Sequence, residues 1–554
     1  MTEQNTQLPR ISTGPRFDLW SFGALLIALL VLLPILSIFW IAAHPTEPIW
    51  EHLIHSTLPR YLGNSLIIMF SVGALSAAIG TGAAWLIVCY RFPGARWLQW
   101  LLLLPLAVPG YLGAYALVDF LEYAGPVQTG LRTTFGWDTS RDYYFPEIRS
   151  RAGAIFVLTA SLYPYVYLLA RAGFREQSGR AHEVARALGA GAYRRFFGIG
   201  LPLAQPAIAA GTAIVMMETV NDFGAVDFFG VQTLTTGIFT VWLEAGNAGG
   251  AAQIACVILA VILFLVMLEK FSRRRVRFHR MSRSDSRIAP GALKGGAGWL
   301  ATAVCTLPVL AGFVLPVSVL GHHALTRSEG WMAPGLLKAF VNTFVVGSAA
   351  ALLTVSAALF LVYATRLSGK RAPRLLLPFT TIGYAAPGAV LALGLLIPLA
   401  AFDNGMADMV LALTGFDPGL LLTGSAAVLV YAYAVRFFAI GQGAADAAVQ
   451  RVSPSLPMAA RTLGHSAGGT LLHVYLPLIR GSIATALLLV FVDAVKELPA
   501  TLLLRPFNFN TLATRAHESA SLEKIVEAAP SALLIIFVSL AAVALLARQM
   551  IRSL

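Results

Sequence analysis

Long apolar runs, interrupted at intervals by short basic clusters, dominate this chain of 554 residues. The first extends uncharged from Leu19 to Ala43, more than the ~20 helical residues needed to cross a bilayer core. Similar runs recur near 62–90, 99–120, 152–170, 203–227 and 250–268. A second set follows near 297–320, 340–363, 375–402, 420–440, 481–503 and 529–547. The pattern predicts about twelve transmembrane helices, because a backbone in hydrocarbon must satisfy its own hydrogen bonds. The first run is too long for the apolar core of a signal peptide, and no convincing small-residue cleavage site follows, so it reads as a retained span.

Composition agrees with that class. The chain is 57% hydrophobic and 12% charged, whereas a soluble domain carries about a quarter charged residues. A net charge of +13 raises the question of nucleic acid, but the placement of the charge answers it. Alternate loops hold 29 of the 40 Lys and Arg residues: those around Arg10, Arg91, Arg171 to Arg195, Lys270 to Lys294, Arg366 to Arg374, Arg436 to Arg480, and Arg548. By the positive-inside rule these loops and both termini are cytoplasmic, and no nucleic-acid partner is needed. The expected location is a membrane, with the lipid bilayer as the surrounding partner. Cys89, Cys256 and Cys305 lie far apart in apolar runs, which excludes a disulfide framework or a CxxC metal site. His52, His55, His322 and His323 fall in or near outward loops, where solvated histidines are commoner than ligands, so no metal site is assigned.

The two sets of runs repeat one another. Asn64-Ser65 corresponds to Asn342-Thr343 and Pro109-Gly110 to Pro387-Gly388, both at an offset of 278. An even number of spans per half keeps both halves in one orientation, so the repeat is parallel, about an axis along the membrane normal. The expected organisation is a first half over 1–268, a basic linker over 269–296 and a second half over 297–554.

The longest duplicated motif lies in the basic loops. Its first copy runs Glu183-Val184-Ala185, three residues, Gly189, nine residues, Ile199-Gly200-Leu201-Pro202. Its second runs Met458-Ala459-Ala460, three residues, Gly464, nine residues, Val474-Tyr475-Leu476-Pro477. Residues 181–188 and 455–463 are mostly helix formers. Gly189 and Gly464 suit a left-handed helix end, and proline is tolerated where the next helix starts. This motif resembles the EAA loop of binding-protein-dependent ABC-transporter permeases, through which the membrane subunit grips its ATPase. The resemblance implies an all-α membrane protein of the type I ABC permease fold, with two fused halves and two docked copies of a cytoplasmic ATPase. It also implies a periplasmic substrate-binding protein. Glu183, Ala185, Gly189, Leu201 and Pro202, with Ala459, Ala460, Gly464, Leu476 and Pro477, would then be the coupling residues. Met458 stands in the place of Glu183, so the two ATPase contacts are expected to be unequal. The one Gly-Lys pair, Gly369-Lys370, lacks the glycine of a phosphate-binding loop. ATP and magnesium are therefore assigned to the partner, and no cofactor or catalytic residue to this chain.

Charge inside a membrane span is costly and usually functional. Glu218 and Asp222 fall in the fifth run, Asp493 and Glu497 in the eleventh, at matching positions. Spacing of four puts each pair on one helix face, with Lys496 able to neutralise one carboxylate. These segments, and residues 504–511, resemble ferric-iron ABC permeases, so the five residues are the expected translocation path and ferric iron the expected cargo. Thiamine, polyamine, sulfate and phosphonate permeases are the alternatives within the class. An ion-coupled secondary transporter is the alternative outside it, one that has no use for paired EAA-like loops.

The topology has a direct test. A cysteine placed at Arg283, in a background without native cysteines, should resist a membrane-impermeant thiol reagent added from outside. One placed at position 140 should react, and the reverse pattern would overturn the orientation.

Overall fold

The computed structural model describes residues 19–275, 288, 290–368, 375–381, 383 and 386–552. Arg283 and most of the basic linker, together with Gly369-Lys370, lie outside the described residues. Among the described residues the regular secondary structure is helical apart from one two-residue parallel pairing, Tyr90–Arg91 with Gly291–Ala292. That pairing, extended by Leu293 N donating to Arg91 O at 2.9 Å, ties the far end of the linker to the second span.

Among the described residues ten helices are long and apolar enough to cross a membrane, and counting each of two bent pairs as one span brings the total to twelve. The bent pairs are Ala95–Ala107 with Gly110–Phe135, turned by 93°, and Ala427–Arg436 with Phe438–Gln450, turned by 54°. The third span is broken at Pro109. Pro109 sits just before helix Gly110–Leu121, with φ −55° and ψ 144°. Pro387 holds the same place before helix Gly388–Thr414, with φ −55° and ψ 148°.

The fifth and eleventh runs, expected as unbroken spans over 203–227 and 481–503, also stop early. Helix Leu201–Asn221 ends where Asp222 turns to ψ 133°, and helix Leu476–Lys496 where Glu497 turns to ψ 120°. Short helices follow, Gly224–Phe228 and Pro499–Leu504. Each segment beyond is strapped to its half by the repeated Asn-Ser/Thr pair. Asn64 Nδ2 donates to Gln232 O at 2.7 Å and Leu234 N donates to Ser65 Oγ at 2.9 Å. In the second half Asn342 Nδ2 donates to Asn510 O at 3.0 Å and Leu512 N to Thr343 Oγ1 at 2.8 Å. Buried backbone groups need such partners where a helix stops inside the fold. That is why these polar residues recur in otherwise apolar runs.

Within the first half, helices Leu58–Cys89, Arg151–Arg175 and Leu201–Asn221 pack most closely. Small residues set the approach: a Cβ on Gly80 would lie 2.8 Å from Tyr167 N, and one on Gly211 2.8 Å from Val166 Cα. Helices Leu336–Ser368, Phe438–Gln450 and Leu476–Lys496 pack likewise in the second. The first span of each half reaches across. Leu19–Ala43 lies against Leu336–Ser368 and Gly388–Thr414, while Leu315–Thr326 lies against Gly110–Leu121.

Candidate functional site

Between the halves, where the fifth and eleventh spans stop, lies a cavity of about 170 Å³. Glu218, Asp222, Asp493, Lys496 and Glu497 all line it. They do not share helix faces as pairs, however. Asp222 and Glu497 stand one residue past the ends of their helices, so the spacing of four carries no helical register to the second acid.

Their placement has a local cause. Asp222 Oδ1 accepts hydrogen bonds from Ala225 N at 3.0 Å and Val226 N at 3.2 Å. Glu497 Oε1 accepts from Ala500 N at 3.0 Å. Each acid ends one helix and caps the start of the next, where unpaired amides and the helix dipole favour negative charge.

Lys496 does not neutralise Glu497. That task falls to Arg436, whose Nε lies 3.1 Å from Glu497 Oε2, with side chains 14% and 3% exposed respectively. Arg436 was counted among the cytoplasmic loop cations, but it stands at the bend of the tenth span and lines the cavity. Its position inside the apolar run 420–440 was the available signal. The Pro-Gly repeat also gains a reason here, because a Cβ at Gly388 would collide with both the Arg436 guanidinium and the Glu497 carboxylate. Lys496 points across to the other half, where Nζ donates to the Leu106 carbonyl at 3.0 Å. Tyr111, also unforeseen from sequence, lines the same cavity.

The two motif copies fold alike. Helix Gly179–Ala187 and helix Ser455–Thr462 each end in a left-handed glycine, Gly189 with φ +82° and Gly464 with φ +88°. The closing bonds match as well: Ala190 N to Ala185 O at 2.9 Å and Gly189 N to Arg186 O at 3.0 Å, against His465 N to Ala460 O and Gly464 N to Arg461 O, both at 3.0 Å. This double bond pattern is the Schellman helix end. One π-helical turn then precedes each Leu-Pro, Phe196–Gly200 before Leu201-Pro202 and Leu471–Tyr475 before Leu476-Pro477. Glu183, Val184, Met458 and Ala459 are exposed, while Ala185 is half-buried and Ala460 buried. Leu188 and Leu463, one before each glycine, are 82% and 81% exposed.

Behind the first turn His182 is buried. Its Nε2 meets Gln177 Oε1 at 2.9 Å, and Gln177 Nε2 donates to Gly200 O at 2.9 Å. Burial, and secondarily the Arg195 charge, hold this imidazole below its ordinary pKa. The second turn has Pro457 at the matching position and lacks this brace. Of the outward histidines, His323 Nε2 pairs with Asp119 Oδ2 at 2.8 Å. Among the described residues no three His, Cys, Asp or Glu side chains converge as a metal site.

Two like helical halves around a charged cavity, with a matched pair of loop turns, are the architecture of a membrane permease. The chain belongs to the family described as binding-protein-dependent transport system inner membrane component, which it matches twice, over residues 74–278 and 350–552. It is therefore the permease of an ABC importer, a multi-pass inner-membrane protein, and its family implies an ATPase and a substrate-binding protein as partners.

It is 25% identical to the Fe(3+)-transport system permease protein FbpB 2 of Haemophilus influenzae over 500 residues, 88% of this chain and 90% of that one. It is 22% identical to the ferric transport system permease protein FbpB of Actinobacillus pleuropneumoniae over 512 residues, 85% of this chain and 70% of the relative. The molybdenum transport system permease protein ModB of Escherichia coli is 26% identical over 235 residues, covering 41% of this chain and 95% of its own length.

The Arg436–Glu497 pair yields a stability prediction. Arg436→Met strands a buried carboxylate and should destabilise the fold by about 3–5 kcal/mol. Adding Glu497→Gln should recover most of that loss. Thermal unfolding of the detergent-purified variants measures both.

Proposed function

We propose that this permease imports ferric iron, and that one chain forms the whole translocation path from its halves at 1–268 and 297–554, joined by the basic linker 269–296. The observation carrying the cargo reading is that relatives named for ferric transport align along most of this chain, while the molybdenum relative spans one half. Four carboxylates around one cavity support it, because hard cations take oxygen ligands and negative charge lowers the cost of bringing a cation into a low-dielectric region. Arg436 and Lys496 in the same cavity favour an oxyanion as the second reading.

In this reading both termini are cytoplasmic and a periplasmic binding protein delivers the cargo. Two copies of the ATPase grip the turns at Glu183 to Pro202 and Ala459 to Pro477, and the chain itself catalyses no reaction. The exposed Val184, Leu188, Met458 and Leu463 supply apolar contact for such docking. The braced first turn and the unbraced second agree with unequal ATPase contacts. ATP binding draws the two turns together. Because each turn runs through its π segment into the helix ending at Asp222 or Glu497, that motion reaches the cavity directly.

Coupling and cargo are tested separately. Valine resists positive φ, so Gly189→Val should abolish ATP-driven uptake while the protein still inserts. Normal uptake with normal ATPase co-purification would refute the docking assignment, and Gly464→Val should act more mildly. For cargo, uptake of radioactive ferric iron per unit of permease in the membrane should be lost in cells carrying Asp222→Asn with Glu497→Gln. Full iron uptake by that variant would refute the cation path, and uptake of molybdate or sulfate instead would establish the oxyanion reading.

A further inference from the structure

The helices that start at the motif turns end at Asp222 and Glu497, so the segments after them lie on the far side of the cavity. On that side the halves meet through aromatic rings. Phe223 and Tyr111 line the cavity itself. Phe223 stacks on Phe239 with centroids 3.8 Å apart, and Tyr115, one turn past Tyr111, meets Phe228 at 4.5 Å. Such packed rings offer an ion nothing to replace its water.

A buried hydrogen bond crosses this layer from one half to the other. Tyr115 Oη, on helix Gly110–Leu121, lies 2.7 Å from His517 Nδ1, on helix Leu512–Ser521. His517 Nε2 in turn faces Asp227 Oδ2 at 3.9 Å. Further contacts between the halves continue along the same helix face, because Tyr111, Tyr115 and Asp119 recur every four residues. Asp119 Oδ2 meets His323 Nε2 at 2.8 Å, and past the helix end Arg149 bridges Glu122 at 3.0 Å and Glu523 at 3.5 Å. Exposure rises along this series, from buried Tyr115 and His517 to 23% at Asp119 and His323 and 36% at Arg149. The series thus leads from the cavity to the surface, with Tyr115 and His517 innermost.

The repeat does not account for that innermost pair. Helices Leu234–Phe239 and Leu512–Ser521 open with the same capping box, at Thr233 and Thr511. That register puts Phe239 in the place of His517, and the Pro-Gly register puts Leu393 in the place of Tyr115. The scaffold therefore tolerates apolar residues at both places, and the polar pair needs another reason.

We infer that the Tyr115–His517 bond latches a gate on the side of the cavity away from the motif turns, and that cargo enters by parting helix Gly110–Leu121 from helix Leu512–Ser521. The inference rests on the orientation proposed above, in which residues 122–150 face outside. One hydrogen bond suits a latch. It satisfies both buried groups while the gate is shut, and its exchange for bonds to water makes opening inexpensive. The surrounding rings exclude water and ions until then. Tyr115 and His517 are in this sense positioning residues, which hold the gate rather than the cargo.

Access to the cavity from outside is the measurement. Ser161 lines the cavity, so Ser161→Cys, in a background without the native cysteines, is exposed to a membrane-impermeant thiol reagent in intact, energy-depleted cells. Labelling per permease in the membrane should be slow in this parent. Adding Tyr115→Phe or His517→Phe should speed it at least about tenfold, since a gate labels in proportion to its open population. His517→Asn, whose amide can give or take the Tyr115 bond, should stay near the parent rate. Where His517→Phe does not insert, Tyr115→Phe gives the same reading.

Fast labelling in the parent overturns the inference, as does a rate unchanged by Tyr115→Phe and His517→Phe. Labelling of His517→Asn as fast as that of His517→Phe also overturns it, since ring packing rather than the bond then holds the layer. Failure of the underlying orientation looks different: a cysteine at position 140 then escapes the same reagent.

Discussion

Charge held in a low-dielectric interior is the constraint from which the rest of this structure follows. A carboxylate in lipid is expensive, by ~2.5–3.5 kcal/mol for aspartate at a helix centre on insertion scales, so each acid must be met by something fixed. Asp222 and Glu497 are met by the amides of the helices they cap, and Glu497 also by Arg436. Those bonds require the fifth and eleventh spans to stop, and stopping exposes backbone groups that the Asn64-Ser65 and Asn342-Thr343 straps then satisfy. The broken spans, the straps and the cavity are one arrangement.

The pseudo-symmetry holds in the scaffold and fails where the two halves meet at the cavity. Turns, caps, straps and Pro-Gly breaks repeat almost bond for bond. The cavity wall does not repeat, because the second half brings Arg436 and Lys496 while the first half has Asn221 opposite Lys496 and supplies Tyr111. A duplicated scaffold with an asymmetric lining lets one path be shaped for one cargo while both motif turns keep a common form. The turns differ in stiffness, since His182 and Gln177 brace only the first.

Much of this was legible in the linear pattern. Apolar run length gave helices and their approximate number, because bilayer thickness fixes how many residues a span needs. Motif spacing located the turns, and Gly189 and Gly464 adopt the left-handed conformation that their place after a helix implies. Glu218, Asp222, Asp493, Lys496 and Glu497 were also legible as a group, since charge is rare in such runs. Their mutual geometry was not. A spacing of four means one face only if the helix continues, and Asp222 and Glu497 are the residues at which it ends.

The sequence by itself determined the membrane class, the duplication and the position of the two motif turns, because these depend on local composition and on spacings along the chain. Tertiary structure alone decided that Glu497 pairs with Arg436, 61 residues away, while its neighbour Lys496 reaches 390 residues back to Leu106. It alone decided that Tyr111 faces the same cavity. Pairing between groups distant in the chain depends on how helices cross and where they break. In the third and tenth spans those breaks turn the chain by 93° and 54°, directions that apolar run length does not encode.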